Sequence, residues 1–255
     1  MKASPPGTTR RRRSPFVAIL VYTVHSRFPP KRWVAVLVPC GGAVLLGLLA
    51  HVVDETPERA FAAVAADGIF GLVVPIAALV IGDSVLGAEM RAGTFHFTWL
   101  SPTPTWQIVL GRWAGGSLVA LVTIAPSVAL GAVVAGSPES AGPAFVATAV
   151  ASTSYIAVFV AIACLTRRTA VWSLAFVFLV ERLLGTALTG IAQLSPTWES
   201  RAIFLASVDD VPSSLARDGI PQGGAAVVRL SIVTIVVLVV AIWRMGHMRL
   251  AGASD

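Results

Sequence analysis

The chain has 255 residues, of which 56% are hydrophobic and only 13% are charged, whereas about a quarter of the residues in a soluble domain are charged. This composition excludes an ordinary soluble globular protein, and no segment outside the apolar runs is long enough to bury a separate core. The formal net charge of +6 does not indicate a nucleic-acid partner, because the excess lies mainly in residues 10–13 and just before the first long apolar run. Basic residues in those places are typical of contact with anionic lipid headgroups.

Residues 1–32 predict a basic cytoplasmic N-terminus that includes one interfacial helix. The apolar stretch 16–24 is much shorter than the roughly 18 residues that a membrane-spanning helix needs. Basic residues continue after it and no small-residue cleavage pattern follows, so we do not expect a secretory signal peptide. We expect an amphipathic elbow helix that lies on the cytoplasmic leaflet.

The rest of the chain predicts an all-α integral membrane protein. About six apolar runs form a single transmembrane domain over residues 33–243, and a short cytoplasmic tail follows over residues 244–255. Residues 195–224 mix short apolar pieces with acidic residues, Pro and Gly, and we expect short re-entrant helices there on the outer side. The predicted spans are residues 33–53, 61–81, 108–134, 145–165, 171–194 and 225–243.

The charged residues outside these spans predict the topology. Most Lys and Arg residues lie on the side of the N-terminus, while most Asp and Glu residues lie on the other side. Because basic residues are retained in the cytoplasm, both termini are expected there. The expected location is the plasma (inner) membrane, which the chain crosses several times.

Residues 83–112, hereafter the coupling segment, connect the second and third predicted spans. They are too polar and too rich in Pro and Gly to cross a bilayer. Gly93 can adopt a left-handed backbone and end a helix, Thr94 can cap the next helix, and the two Xaa-Pro pairs in residues 101–104 exclude helix. Glu89 can offer its carboxylate to a basic group on a partner or elsewhere in the chain. We interpret the segment as a short cytoplasmic helix, parallel to the membrane, that docks on a partner protein; the alternative is a plain polar loop.

The sequence of the coupling segment is similar to that of a known family. The run Glu89 to Phe95 (EMRAGTF), then Leu100 to Pro104 (LSPTP) and Ile108 to Arg112 (IVLGR), resembles the cytoplasmic loop between the second and third helices of ABC-2-type permeases. The elbow helix, the six spans and the re-entrant helices also suit that family. The resemblance implies that coupling to an ATPase runs through Glu89, Arg91, Gly93, Thr94 and His96.

The resemblance therefore implies a transmembrane permease subunit of an ATP-driven ABC exporter. Such an exporter moves an amphipathic drug, antibiotic, peptide or lipid out of the cytoplasm or the inner leaflet. Separate ATP-binding subunits would hold ATP and Mg, and a second permease chain would pair with this one as a homodimer or heterodimer. This chain has only two lysines, neither of them in a phosphate-binding loop. We accordingly expect no cofactor, no catalytic residue and no enzyme activity in this chain.

Three ionisable residues, Asp67, Glu181 and Arg182, fall inside predicted spans. Such groups by default face the interior of a helix bundle and are candidates for function. At about 1.5 Å of rise per residue, Asp67 and Arg182 lie at similar depth. We hypothesise that these two residues pair while Glu181 points elsewhere. The pair would either line a substrate cavity or only fix the packing of two helices.

Two other classes of function stay open at this stage. One is a non-transporting membrane scaffold or immunity protein that only binds a partner. The other is an ion-coupled carrier that uses Asp67 and Glu181. The two cysteines and four histidines show no spacing typical of metal ligands, so we expect no metal site.

Overall fold

The computed structural model describes residues 14–26, 30–53, 56–184, 193–208 and 223–248. Within these ranges the regular structure is entirely helical and no strand occurs, which confirms the predicted all-α class for the described part of the chain. The helices are α1 (Pro15–Ser26), α2 (Pro30–Val53), α3 (Pro57–Ala92), α4 (Phe95–Trp99), α5 (Thr105–Val134), α6 (Ala141–Leu165), α7 (Thr169–Ala175, continued as the π-helix Phe176–Leu184), α8 (Pro196–Leu205) and α9 (Gly224–Gly246).

Five helices of the described chain are long and apolar enough to cross a membrane, namely α2, α3, α5, α6 and α9. This is the architecture of a helical membrane protein. For the predicted fifth span, residues 171–194, the structure describes helix over residues 169–184, and Gln193 and Leu194 at its far end lie in a turn. Residues 185–192 lie outside the described chain, so the count of six spans stays a prediction. α1 occupies the region predicted for the elbow helix, and its position relative to a membrane also stays a prediction.

The second long helix does not end near Ile81, as the sequence suggested, but continues to Ala92. The resulting helix of 36 residues includes the first ten residues of the coupling segment. It continues because Val85 and Leu86 are fully buried and the Ser84 hydroxyl donates a hydrogen bond to the Val80 carbonyl within the helix. Apolar burial therefore extends past the point where hydropathy falls.

Three stretches of the described helices are π-helical rather than α-helical. They are Ala65–Val73 and Asp83–Gly87 within α3, and Phe176–Leu184 at the end of α7. The first contains Asp67 and the third contains Glu181. Because π-helical turns are rare and occur frequently at functional sites, Asp67 and Glu181 remain candidates for function.

The core is organised around α6, which packs most extensively on α5 and also contacts α3, α8 and α9. Aromatic side chains fill the space between these helices. Tyr155 and Phe159 of α6 stack with ring centroids 5.7 Å apart, and Phe204 of α8 contacts Phe61 and Phe70 of α3 at 5.8 and 5.5 Å. The short helix α8 is thereby anchored in the bundle.

Small residues allow two helices to approach α5 closely. A Cβ atom added at Gly47 of α2 would lie 2.2 Å from the carbonyl oxygen of Gly131 in α5, so backbone meets backbone there. On the other part of α5, Cβ atoms at Gly111 and Gly115 would each lie 2.8 Å from side-chain atoms of α1. Close backbone contact through glycine is typical of helices packed in a membrane, and here it attaches α1 and α2 to α5.

Candidate functional site

The coupling segment has a defined break after α3. Gly93 adopts a left-handed backbone with φ of 67°, as its position predicts, and the Thr94 amide donates a hydrogen bond to the Glu89 carbonyl at 3.2 Å. The helix α4 follows immediately, and residues 101–104 are non-helical before α5 begins. The Thr94 carbonyl accepts a hydrogen bond from the amide of Phe97 in α4. The segment is therefore a helix end, a short helix and a Pro-containing turn.

Glu89 forms a buried ion pair with Arg112. The Arg112 Nη2 atom donates to both carboxylate oxygens of Glu89, at 2.8 and 2.9 Å, and both side chains are only 2% exposed. The Arg112 Nη1 atom also lies 3.4 Å from the Val85 carbonyl oxygen. Of the two predicted uses for the Glu89 carboxylate, the structure shows the internal one, because it binds a basic group of the same chain.

Arg112 also contacts α1 through Tyr22. The guanidinium carbon of Arg112 lies 5.0 Å from the centroid of the Tyr22 ring, a distance at which a cation is attracted to an aromatic face. Arg112 thus joins three elements: its own helix α5, the end of α3 through Glu89, and α1 through Tyr22. A displacement of the end of α3 must move or break this junction.

Three of the other predicted coupling residues, Arg91, Gly93 and Thr94, are exposed. Arg91 forms a two-point ion pair with Asp83, with Nη2 2.7 Å from Oδ2, and its side chain is 43% exposed. The backbone of His96 lies in α4, while its side chain lies outside the described part of the structure, so its predicted role stays a prediction.

Two apolar side chains next to these residues are exposed. Phe97 of α4 is 71% exposed and Leu100, just after α4, is 74% exposed. Both lie beyond the end of α3 and close in sequence to Arg91 and Thr94. Exposed apolar side chains beside charged and polar ones are a composition typical of protein-binding surfaces.

A second polar cluster surrounds Glu181 of α7. The carboxylate of Glu181 is 3% exposed and accepts hydrogen bonds from Tyr155, from the Ser195 hydroxyl at 2.7 Å, and from the hydroxyl and amide of Thr197 at 3.1 and 3.4 Å. The Tyr155 and Thr197 hydroxyls are 2.6 Å apart. Glu181 thus connects α6 and α7 to the start of α8.

Asp67 forms an ion pair with Arg201 of α8, with Oδ1 and Nη2 2.8 Å apart. The Arg201 guanidinium carbon also lies 5.4 Å from the centroid of the Trp198 ring. The side chain of Arg182 lies outside the described structure, so the hypothesised pairing of Asp67 with Arg182 is untested. Arg201 was not among the candidate partners because it lies in residues 195–224, outside the predicted spans.

A third acidic residue, Glu199 of α8, is completely buried with 0% side-chain exposure. Its nearest cation is Arg229 of α9, whose Nη1 atom lies 3.6 Å from Oε1. Burial raises the pKa of Glu199 to about 7, and the positive charge of Arg229 opposes that rise. α8 has only ten residues and is too short to span a bilayer.

Residues without a role in the sequence analysis complete these clusters. Tyr22 and Tyr155 are the only two tyrosines in the chain, and one lies on the Arg112 ion pair while the other lies on Glu181. Their rarity in an apolar sequence was a usable signal, because the hydroxyl group of a tyrosine needs a polar partner or water. Arg112 gave a similar signal as the single charged residue of α5.

Within the described ranges, no group of three or more His, Cys, Asp and Glu side chains is placed to hold a metal ion. Compared with known proteins, the chain matches no protein-family model and no curated sequence.

Proposed function

We propose that this chain is the transmembrane permease subunit of an ATP-driven exporter in the plasma (inner) membrane, with both termini in the cytoplasm. The observation that carries the proposal is the combination of the buried Glu89–Arg112 pair with the exposed edge formed by Phe97 and Leu100. A segment that receives work from a partner needs a surface for the partner and a stiff connection to the membrane helices. The coupling segment has both.

The proposed mechanism follows from these contacts. An ATPase subunit docks on α4 and on the polar residues that precede it, and its closure on ATP displaces the segment. Because Glu89 is bound to Arg112, the displacement is transmitted to α5, and through Tyr22 to α1. Tilting of α3 and α5 then opens a cavity outward between this chain and a second permease chain, identical or paralogous.

The substrate class follows from the resemblance and from the membrane setting. An amphipathic drug, antibiotic, peptide or lipid is the expected cargo. ATP and Mg act on the partner subunits, and this chain contributes no catalytic residue to the proposed cycle. The expected assembly is two permease chains with two ATP-binding subunits.

The decisive experiment combines purification with transport. The chain is purified in mild detergent from its native membrane, and the proposal expects a stoichiometric ATP-hydrolysing subunit to remain bound. Replacing both exposed residues, as in Phe97→Ser with Leu100→Ser, should release that subunit. Leu165→Ser is the matched control, because Leu165 is 58% exposed at an end of α6 expected on the same face of the membrane.

Transport measurements separate the exporter from a non-transporting scaffold or immunity protein. Export that stops on ATP depletion supports the proposal. Absence of any ATPase from the wild-type preparation would contradict it. A binding partner without transport would favour the scaffold or immunity protein.

An ion-coupled carrier is the second candidate, and the buried Glu181 favours it. A carboxylate held by a tyrosine and two hydroxyl residues is an arrangement that can bind and release a proton. The carrier predicts transport that follows the proton gradient, persists during ATP depletion and is abolished by Glu181→Gln. The exporter predicts the opposite response to both energy sources.

A further inference from the structure

A groove beside α9 has one cationic residue among apolar walls. Its volume is about 720 Å³, and it is lined mainly by Gln193, Leu194, Val228, Arg229, Ile232 and Val233. Within this lining Arg229 is the single charged side chain. A groove of this size accommodates a drug-sized molecule or an acyl chain with part of its headgroup.

Arg229 is held in position at the edge of the groove. Its Nη1 atom donates a hydrogen bond to Gln193 Oε1 at 3.0 Å, and 35% of its side chain remains exposed. Arg229 is the sixth residue of α9, which puts it about 8 Å from the end of that helix. At such a depth a long arginine side chain reaches the headgroup level of a bilayer while its methylenes stay in apolar surroundings.

Glu199, the acidic partner of Arg229 inside the protein, is close to Arg229 but not hydrogen-bonded to it. The two carboxylate oxygens of Glu199 receive no hydrogen bond from the described residues, and the nearest Arg229 nitrogen is 3.6 Å away, beyond the usual range of a charged hydrogen bond. Glu199 is therefore close enough to compensate the charge of Arg229 but not to occupy its donors. The exposed donors remain available to an anion in the groove.

We propose that the groove binds an anionic phospholipid of the bilayer, with the lipid phosphate on Arg229 and an acyl chain along Val228 and Ile232, and that Glu199 competes with the phosphate for Arg229. The apolar walls favour a molecule that carries an acyl chain. The single cation selects a negative headgroup. The site is separate from the coupling segment, and it does not depend on the chain being an exporter.

The competition makes lipid binding depend on pH. With the pKa of Glu199 raised by burial to about 7, its carboxylate is largely ionised at pH 8 and largely protonated at pH 6. Ionised Glu199 offsets the charge of Arg229, so the lipid binds more weakly at pH 8. Protonated Glu199 leaves Arg229 uncompensated, so the lipid binds more tightly at pH 6.

The neighbouring charged groups are already engaged with one another. α8 packs on α6, α9 and the first π-helical part of α3. On these elements and on α7, the titratable or charged side chains near α8 are Arg229, Tyr155, Glu181, and Asp67 with its partner Arg201. Tyr155 and Glu181 bind each other and Asp67 binds Arg201, which leaves Glu199 as the group that faces Arg229.

The test uses the full chain in detergent and photoreactive phosphatidylglycerol with a diazirine in its acyl chain. Peptide mapping should find the label on α9 around Val228 to Val233. Unlabelled phosphatidylglycerol should compete for the site, and phosphatidylcholine with the same acyl chains should not. The half-competing concentration should rise several-fold between pH 6 and pH 8.

Variants assign the effect to the two residues. Arg229→Gln should weaken competition about tenfold, as expected for loss of one charged hydrogen bond, whereas Arg229→Lys should weaken it less. Glu199→Gln should bind as tightly at pH 8 as the wild type does at pH 6. Arg59→Gln is the control for net charge, since Arg59 is an exposed arginine at the start of α3, and it should change nothing. Equal competition by the two lipids, or a pH dependence that persists in Glu199→Gln, would overturn the proposal.

Discussion

Arg112 of α5 binds both carboxylate oxygens of Glu89, at 2.8 and 2.9 Å, although 23 residues separate the two in the sequence. The pair lies where α3 leaves the core and before α4 begins. Since each side chain is 2% exposed, neither charge has access to bulk water as an alternative partner. The end of α3 and the body of α5 consequently form one mechanical unit.

Breaking this pair should destabilise the protein strongly. Glu89→Gln leaves the buried guanidinium of Arg112 without a matching charge, and the expected loss is about 3 kcal/mol. Replacing both residues, as in Glu89→Leu with Arg112→Leu, should recover part of that loss because no uncompensated charge remains. The measurement is the apparent unfolding temperature in detergent. Arg91→Gln is the control and should cost at most about 1 kcal/mol, because its pair with Asp83 is partly exposed. Equal losses of stability in Glu89→Gln and Arg91→Gln would contradict the structure.

The contact between Gly47 and Gly131 should tolerate no side chain. A Cβ atom at Gly47 would lie 2.2 Å from the Gly131 carbonyl oxygen, and backbone cannot move aside as a flexible side chain can. Gly47→Ala should therefore cost about 1–3 kcal/mol and lower the apparent unfolding temperature. Gly41→Ala in the same helix is the matched control, because no atom lies within 4 Å of its added Cβ. A Gly47→Ala variant as stable as the Gly41→Ala variant would show that α2 and α5 are further apart.

The two tyrosines should differ in their response to the same substitution. Tyr155→Phe removes a buried hydroxyl that bonds Glu181 and Thr197, and loss of such a bond costs about 1–3 kcal/mol. Tyr22→Phe keeps the ring beside Arg112 but removes a hydroxyl that hydrogen-bonds Arg112. Because Tyr22 is 44% exposed, water can replace that bond, and the expected loss is below about 1 kcal/mol. Thermal unfolding of the two variants side by side is the measurement. The reverse order would refute the role of Tyr155 in holding Glu181.

Stability should fall as the pH rises through neutrality, because of Glu199. Its pKa is raised from 4.5 to about 7 in the folded protein, so the folded state binds the proton more tightly than the unfolded state does. The cost of burying the ionised carboxylate is absent below pH 4.5, grows as the pH rises from there to 7, and is fully present above 7. It amounts to about 3 kcal/mol at 1.36 kcal/mol per pKa unit. Unfolding temperatures between pH 5 and pH 8 should decline in the wild type and stay flatter in Glu199→Gln.

The partner of Asp67 can be decided by two charge exchanges. Asp67→Arg with Arg201→Asp should fold better than either single variant, although the gain is limited to about 1 kcal/mol because the Asp67 side chain is 69% exposed. The same exchange with Arg182 tests the pairing that the sequence suggested. Yield of folded protein after size-exclusion chromatography is the measurement. If only the exchange with Arg182 rescues folding, the pairing seen with Arg201 is not the one that matters.

The sequence by itself determined the helical class of the protein and two of its helix breaks. Long apolar runs form helices whose side chains are buried in the bundle or face lipid. Hydropathy alone was therefore enough to predict five of the spans. The helix end at Gly93 and the break at residues 101–104 were also predictable, because they follow from the backbone preferences of Gly and Pro. These are local properties that neighbouring residues alone decide.

Tertiary structure decided which charged groups meet. Glu89 could have faced a partner or Arg112, and Asp67 had Arg182 as a candidate at similar depth, while its observed partner is Arg201. The continuation of α3 to Ala92 likewise depends on the burial of Val85 and Leu86 against other helices. Contacts between residues far apart in sequence depend on how helices rotate and cross, and hydropathy carries no information on either. The ion pairs and the Arg229 groove could therefore not be predicted from the sequence, because they form only when the helices pack together.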